Sequence, residues 1–228
     1  MLKIGNREVV ETDEELLDPS QTALVLIDIQ NDYVSPSGLL DRLGYDISPM
    51  RPMVATAARL IRAAREAGIL VVYVQDTRLP GNVGDSAAVL RFITVKCGLP
   101  ADVTLQGSWG WEIAAEIAPL PTDVVVPKLR EGAFVGTCLD VILRSNKVRT
   151  VVMCGDVTHG CLESSARDAL LHDYYVTICR DGVASHVPEL HDASMTVMST
   201  KFDIRDADAI EKVWASAVAQ RTNHPDGS

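Results

Sequence analysis

Cys161 stands where a thiol could act as a nucleophile. The residues Val151 to Cys154 before it form an apolar run, which predicts a strand buried on both faces. The run breaks at Gly155. A helix follows, in which Leu162, Ala166, Ala169 and Leu170 recur at spacings of three and four. A cysteine in the intervening turn, Thr158-His-Gly-Cys161, sits at a helix N-terminus and at the carboxyl end of a parallel strand. Open α/β sheets bind ligands at that edge. Unpaired N–H groups and the helix dipole there favour thiolate over thiol and could hold a developing oxyanion.

Two charged residues end apolar runs in the same way. Thr22-Ala-Leu-Val-Leu-Ile runs into Asp28, and Asp123-Val-Val-Val-Pro runs into Lys128. A charge closing an apolar strand is paired, solvated or functional. For either residue alone, solvation at a strand end explains it equally well. Together with Cys161, all three fall on the carboxyl side of strands, so the fold can bring them to one edge. Asp28 could then take the thiol proton as a general base. Lys128 could hold Asp28 charged and favour the thiolate. Cys161 would attack an acyl carbon.

The elements that must position them alternate regularly. Strands are predicted at 22–28, 69–74, 123–127, 149–154 and 174–179, with an edge strand at 202–204. Helices are predicted at 53–67, closed by Gly68, and at 109–118, 137–145, 162–172, 189–200 and 206–220. Met195 and Met198 are placed on a buried face. This order predicts an α/β fold of three αβα layers, Rossmann-like, with a six-stranded, mostly parallel sheet and helices on both faces. The absence of a second hydrophobic block predicts one domain over residues 1–228. Residues 1–20 read as an arm packed on the domain or a neighbouring subunit, 75–108 as a lid or specificity region, and 221–228 as a flexible tail.

Composition narrows the partners. The 228 residues are 47% hydrophobic and 23% charged, with net charge −10 and 21 scattered Lys and Arg, a pattern that argues against nucleic acid. No apolar run reaches the roughly 20 residues of a membrane span. The N-terminus is too polar for a signal peptide. The five cysteines form no Cys-x-x-Cys pair, suggest no zinc spacing and fit a reducing cytoplasm. Cys154 and Cys179 read as small core residues.

Three motifs carry a resemblance. They are Leu-Ile-Asp28-Ile-Gln30-Asn-Asp, Val-Pro-Lys128 with Gly-Ala-Phe134-x-Gly-Thr137-x-Leu, and Gly155-Asp-Val-Thr158-His-Gly-Cys161 with Ala166-x-Asp168-Ala. In order, and from about Thr22 to Met198, they resemble the isochorismatase-like cysteine hydrolases. The resemblance implies an Asp28–Lys128–Cys161 triad and a cis peptide between Asp156 and Val157. It also implies an oxyanion hole from the Val157 and Cys161 N–H groups, a thioester intermediate and no cofactor. Nicotinamidases of this group carry an Asp followed by two histidines after the second strand. Here that position reads Gln75-Asp-Thr-Arg-Leu-Pro, so no catalytic metal is expected. Isochorismatases that cleave a vinyl ether lack the cysteine.

What remains is C–N hydrolysis of a small linear amide of the biuret, triuret, ureidoacrylate or N-carbamoyl amino acid type, releasing ammonia. The alternatives are a maleamate-like or nicotinamide-like amidase, or a noncatalytic redox-sensing module of the same topology. Candidate substrate contacts are Gln30, Asn31, Trp109, Phe134, Thr158 and His159. Arg78 and Arg91 read as solvated surface that could bind a carboxylate. Arg167 and Asp168 read as structural pairing. The resemblance implies a homodimer or homotetramer.

Overall fold

Each buried apolar run becomes a strand because a parallel sheet covered on both sides offers no polar face. The computed structural model describes residues 1–223. An antiparallel hairpin of β1 (Leu2–Ile4) and β2 (Arg7–Val9) leads into α1 (Asp13–Leu16). The main sheet comprises β3 (Thr22–Ile27), β4 (Leu70–Asp76), β5 (Val124–Lys128), β6 (Thr150–Gly155), β7 (Tyr175–Val183) and β8 (Asp203–Arg205). Around it lie α2 (Asn31–Val34), α3 (Leu39–Arg42), α4 (Met50–Ala67), α5 (Ala87–Arg91), α6 (Leu139–Ser145), α7 (Glu163–Leu171), α8 (Pro188–Met198) and α9 (Ala207–Asn223).

The sheet order is β5-β4-β3-β6-β7-β8, with every neighbouring pair parallel. Side chains alternate along each of the four inner strands between two cores. Leu24, Leu26 and Val152 face α4 and α9, where Leu60, Ile210 and the fully buried Trp214 meet them. Val25, Ile27 and Met153 face α6, α7 and α8 through Leu139, Ala166 and Met198. Burying each such Leu, Ile or Val side chain stabilises the fold by about 1.5–3 kcal/mol. Helix α4 ends as its sequence predicts: Gly68 takes the left-handed conformation (φ 73°) and its N–H returns to the helix carbonyls.

The chain leaves β3 toward β4 and β5, and leaves β6 in the other direction toward β7 and β8. A switch point therefore lies between β3 and β6, where the carboxyl ends of the strands open a crevice. Gly155 closes β6 at φ 131°, so near β3 that a Cβ would stand 2.0 Å from the Ile27 carbonyl oxygen.

The structure departs from the sequence expectations or adds detail to them in four places. Residues 109–118 form only a single 3₁₀ turn at Ala115–Ile117. Their backbone is drawn into tertiary pairing instead: Asn31 N–H donates to Glu112, Asp32 N–H to Gly110, and Ala114 N–H to Ile29. Within the region 75–108, α5 forms with Ser86 as its N-cap and continues into a wider turn at Phe92–Lys96. The 1–20 arm packs on its own domain. Leu16 and Leu17 enter the core, and Arg205 on β8 pairs with Asp13 at 2.7 Å. Of the expected tail, residues 221–223 complete α9, with Arg221 donating to the Ala67 carbonyl, while 224–228 lie outside the described residues. Among the described residues, no helix is long and apolar enough to cross a membrane.

Candidate active site

Four neighbouring strands deliver four reactive side chains to the crevice. Asp76 and Lys128 are the last residues of β4 and β5 and lie side by side in the ladder. Asp28 directly follows β3. It takes a left-handed backbone (φ 55°), which Asp tolerates better than most residues, while its N–H still bonds to the Val74 carbonyl at 3.0 Å. Cys161 lies in the irregular turn Thr158–Leu162, between β6 and α7. The Asp156–Val157 peptide at the start of that turn is cis.

Lys128 is fully buried and joins these groups. Its Nζ lies 2.8 Å from Asp28 Oδ2 and 3.4 Å from Asp76 Oδ1. It donates to Cys161 Sγ at 3.2 Å and to the Arg130 carbonyl at 3.1 Å. Asp76 is held in turn by the Arg78 guanidinium at 3.1 Å, by the Tyr33 hydroxyl at 2.8 Å and by the Thr104 hydroxyl at 3.0 Å. A buried charge must be paired and hydrogen-bonded to persist; Asp76 and Lys128 are both, whereas Asp28 is held by its ion pair with Lys128 and neither of its oxygens is hydrogen-bonded.

The surroundings set the protonation states. Burial pushes Asp28 up to about 6, against the pull of Lys128, and the neighbouring Asp76 charge adds to the rise. Burial also opposes ionisation of Asp76, but Lys128 and Arg78 outweigh it and hold that carboxyl low. Burial works against the Lys128 ammonium, yet Asp28, Cys161 and Asp76 keep it charged, with its pKa well above the usual lysine value. For Cys161, burial wins: the thiol is pushed well above its ordinary value despite Lys128. This corrects the expectation of a resting thiolate. The Lys128 ammonium does not offset burial and the Asp28 and Asp76 charges, so a nucleophilic role for this thiol would need a base to take its proton. Asp28, poised near neutrality and facing the thiol, fits that task.

The pairing makes a pH prediction. An Asp28 base must be deprotonated, so kcat/KM should rise as pH rises through about 6, as a property of the coupled site. Replacing Asp76 by Asn removes a neighbouring negative charge. The acid limb should then move to lower pH, by about one unit. A limb that stays in place in a folded Asp76→Asn protein would contradict the coupling.

A cavity of about 680 Å³ opens over this floor. Asp28, Asp76, Val157, His159, Gly160 and Cys161 all line it. His159 Nδ1 lies 3.1 Å from the Ser185 hydroxyl, and burial lowers its pKa, favouring the neutral ring. The other expected substrate contacts are engaged elsewhere. The Gln30 amide clamps the end of β4, accepting from Asp76 N–H at 2.7 Å and donating to the carbonyls of Asp76 and Trp111. Asn31 donates to the Trp109 carbonyl and accepts from Ser35. Thr158 is buried, donating to the Ala184 carbonyl and standing 2.9 Å from His191 Nδ1. Phe134 packs in the core and stacks on His172, with ring centroids 4.9 Å apart. Trp109 is 49% exposed. None of these five lines the cavity. Arg78, expected at the surface, is buried between Asp76 and Asp85.

Sequence reading missed Asp76, Asp156 and Glu131, which also line the cavity. Asp76 ends an apolar strand as Asp28 does, and that signal was available. Asp156 is buried, with both carboxyl oxygens unpartnered by hydrogen bonds, and burial next to Asp28 pushes its pKa well up. Among the described residues, no group of three His, Cys, Asp or Glu side chains is placed to hold a metal ion.

The isochorismatase domain model matches residues 22–205. Solved structures share the fold. A cysteine hydrolase from Pseudomonas syringae pv. phaseolicola is 25% identical, with TM-score 0.76, over 87% of this chain and 94% of that one. N-carbamoylsarcosine amidase from Thermoplasma acidophilum is 27% identical, with TM-score 0.65, over 82% and 97%. The pyrazinamidase of Pyrococcus horikoshii in complex with zinc is 26% identical, with TM-score 0.65, over 82% and 99%.

Proposed function

This chain belongs to the isochorismatase domain family, and from that premise we propose that it is a cysteine amidohydrolase acting on linear carbamoyl or ureido amides. The observation that carries the reading is the Lys128 ammonium, set 2.8 Å from the Asp28 carboxylate and 3.2 Å from the Cys161 sulfur at the floor of a cavity. That arrangement supports a base, a charge anchor and a nucleophile acting as a unit.

Asp28 takes the Cys161 proton while Sγ bonds to the amide carbon. The carbonyl oxygen becomes an oxyanion, received by the Val157 and Cys161 N–H groups. The C–N bond breaks, the proton on Asp28 passes to the departing nitrogen, and ammonia leaves a thioester. Water then attacks the thioester and Asp28 accepts its proton; the carbon–sulfur bond breaks, and Asp28 returns that proton to Sγ, which restores both the thiol and the base. Lys128 stays charged throughout and keeps Asp28 ionised at neutral pH.

A redox-sensing role finds less support. Sensor thiols are exposed and ionise easily. Cys161 is half-buried and its thiol is held protonated. The test is ammonia release from biuret, triuret, N-carbamoyl amino acids, ureidoacrylate, maleamate and nicotinamide. Turnover of a carbamoyl or ureido member supports the reading. Turnover of maleamate or nicotinamide alone would replace its substrate class. Reversible oxidation of Cys161 with no turnover of any amide would replace the enzyme reading.

A further inference from the structure

The cavity is much larger than its reactive floor. At about 680 Å³ it falls in the range that encloses drug-sized ligands, well beyond what a ureide as small as biuret fills. Its two ends also differ in chemistry. The floor carries Asp28, Asp76, Asp156 and Cys161, whereas the walls above are Leu40, Val89, Phe92, Ile93, Leu99 and Val103. Ile93 and Val103 join Leu39 in a third apolar cluster, separate from the two cores of the sheet, with Val89 and Leu99 packed against it. The segment 87–103 thus builds a wall that faces the cavity.

We propose that this chamber binds an amide whose carboxamide or carbamoyl head reaches Cys161 and whose remainder is a neutral apolar group, aliphatic or aromatic. The inference rests on the amidohydrolase reading and narrows its substrate class. An apolar lining gives water few hydrogen-bond partners, so an apolar occupant is favoured. The buried cations are already committed, Lys128 to Asp28 and Asp76, and Arg78 to Asp76 and Asp85. Arg130, also at the wall, donates to the carbonyls of Gly84 and Leu129. The other cations at the cavity, Arg130 and Lys96, are not buried, so it is the apolar wall, rather than an absence of cations, that favours a neutral remainder over a carboxylate.

The test is a homologous series, from acetamide to hexanamide with benzamide and the matched N-alkylureas. Each member is measured both for ammonia release and for protection of Cys161 against iodoacetamide, read by peptide mass. Each buried methylene is worth roughly fourfold, so kcat/KM should rise about 50-fold from acetamide to pentanamide. Protection should tighten in parallel. Val89→Phe, which fills the chamber, should reduce the pentanamide-to-acetamide ratio about tenfold. A flat or falling series, or a preference for biuret or for carboxylate-bearing amides, would overturn the chamber while leaving the amidohydrolase intact. Protection that tightens with chain length, without ammonia release, would support the chamber and sink the amidohydrolase.

Discussion

Cys161→Ala is expected to lower ammonia release by at least about 10⁴-fold, because the proposed mechanism passes through an acyl group on its sulfur. The loss should fall on kcat, with substrate binding retained. The substitution removes the sulfur that reacts in the proposed mechanism, whereas the floor carboxylates and the apolar walls remain in place. Stability should change by no more than about 1 kcal/mol, since a half-buried thiol is exchanged for a methyl group and the Lys128–Asp28 ion pair survives. Steady-state kinetics and urea denaturation of the same preparation check both halves. Residual turnover within about tenfold of wild type would place the nucleophile elsewhere.

Lys128→Met should damage both activity and stability. The substitution conserves much of the side-chain volume but leaves Asp28 without its ion-pair partner and Asp76 with Arg78 alone. Breaking a buried pair in this way costs about 3–5 kcal/mol. The loss depends on pH. Asp28 already has a folded-state pKa near 6, above its unfolded value, and loss of the cation raises it further. The folded variant therefore holds that proton more tightly than the unfolded chain. Its deficit should be largest above about pH 7 and shrink toward about pH 5. The acid limb of kcat/KM should move to higher pH, opposite to the shift expected for Asp76→Asn, and activity at neutral pH should fall about 10³-fold or more. Denaturation curves at the two pH values check the linkage. A variant as stable as wild type at the higher pH would remove Lys128 from the centre of the network.

Much of this site was legible because of where polar residues interrupt apolar runs. The run ending at Asp28 is a strand buried on both faces, and the run ending at Lys128 is an unbroken apolar edge strand, so both end visibly at a charge. A terminal charge or thiol on such a strand must lie at the sheet edge. The apolar run of the second strand ends at Val74, two residues short of Asp76, so the sequence marks Asp76 only as the place where a metal motif lacks its histidines. The amides of Gln30 and Asn31 directly follow Asp28, yet both bind backbone of the 109–114 segment or of β4. That outcome depends on contacts distant in sequence. The same pairing overrode the helical pattern of 109–118. The protonation of Cys161 could not be read locally either. Its helix terminus argues for thiolate, and only the packed site shows that desolvation is larger.

The central claim is a covalent acyl group on Cys161, and acid-quenched mass spectrometry during turnover of the best amide tests it most directly. The account predicts a mass increase equal to substrate minus ammonia, on the peptide containing Cys161, present in wild type and absent from Cys161→Ala. Ammonia release without that adduct in a rapid-quench time course, or an adduct carried by another residue, would contradict it.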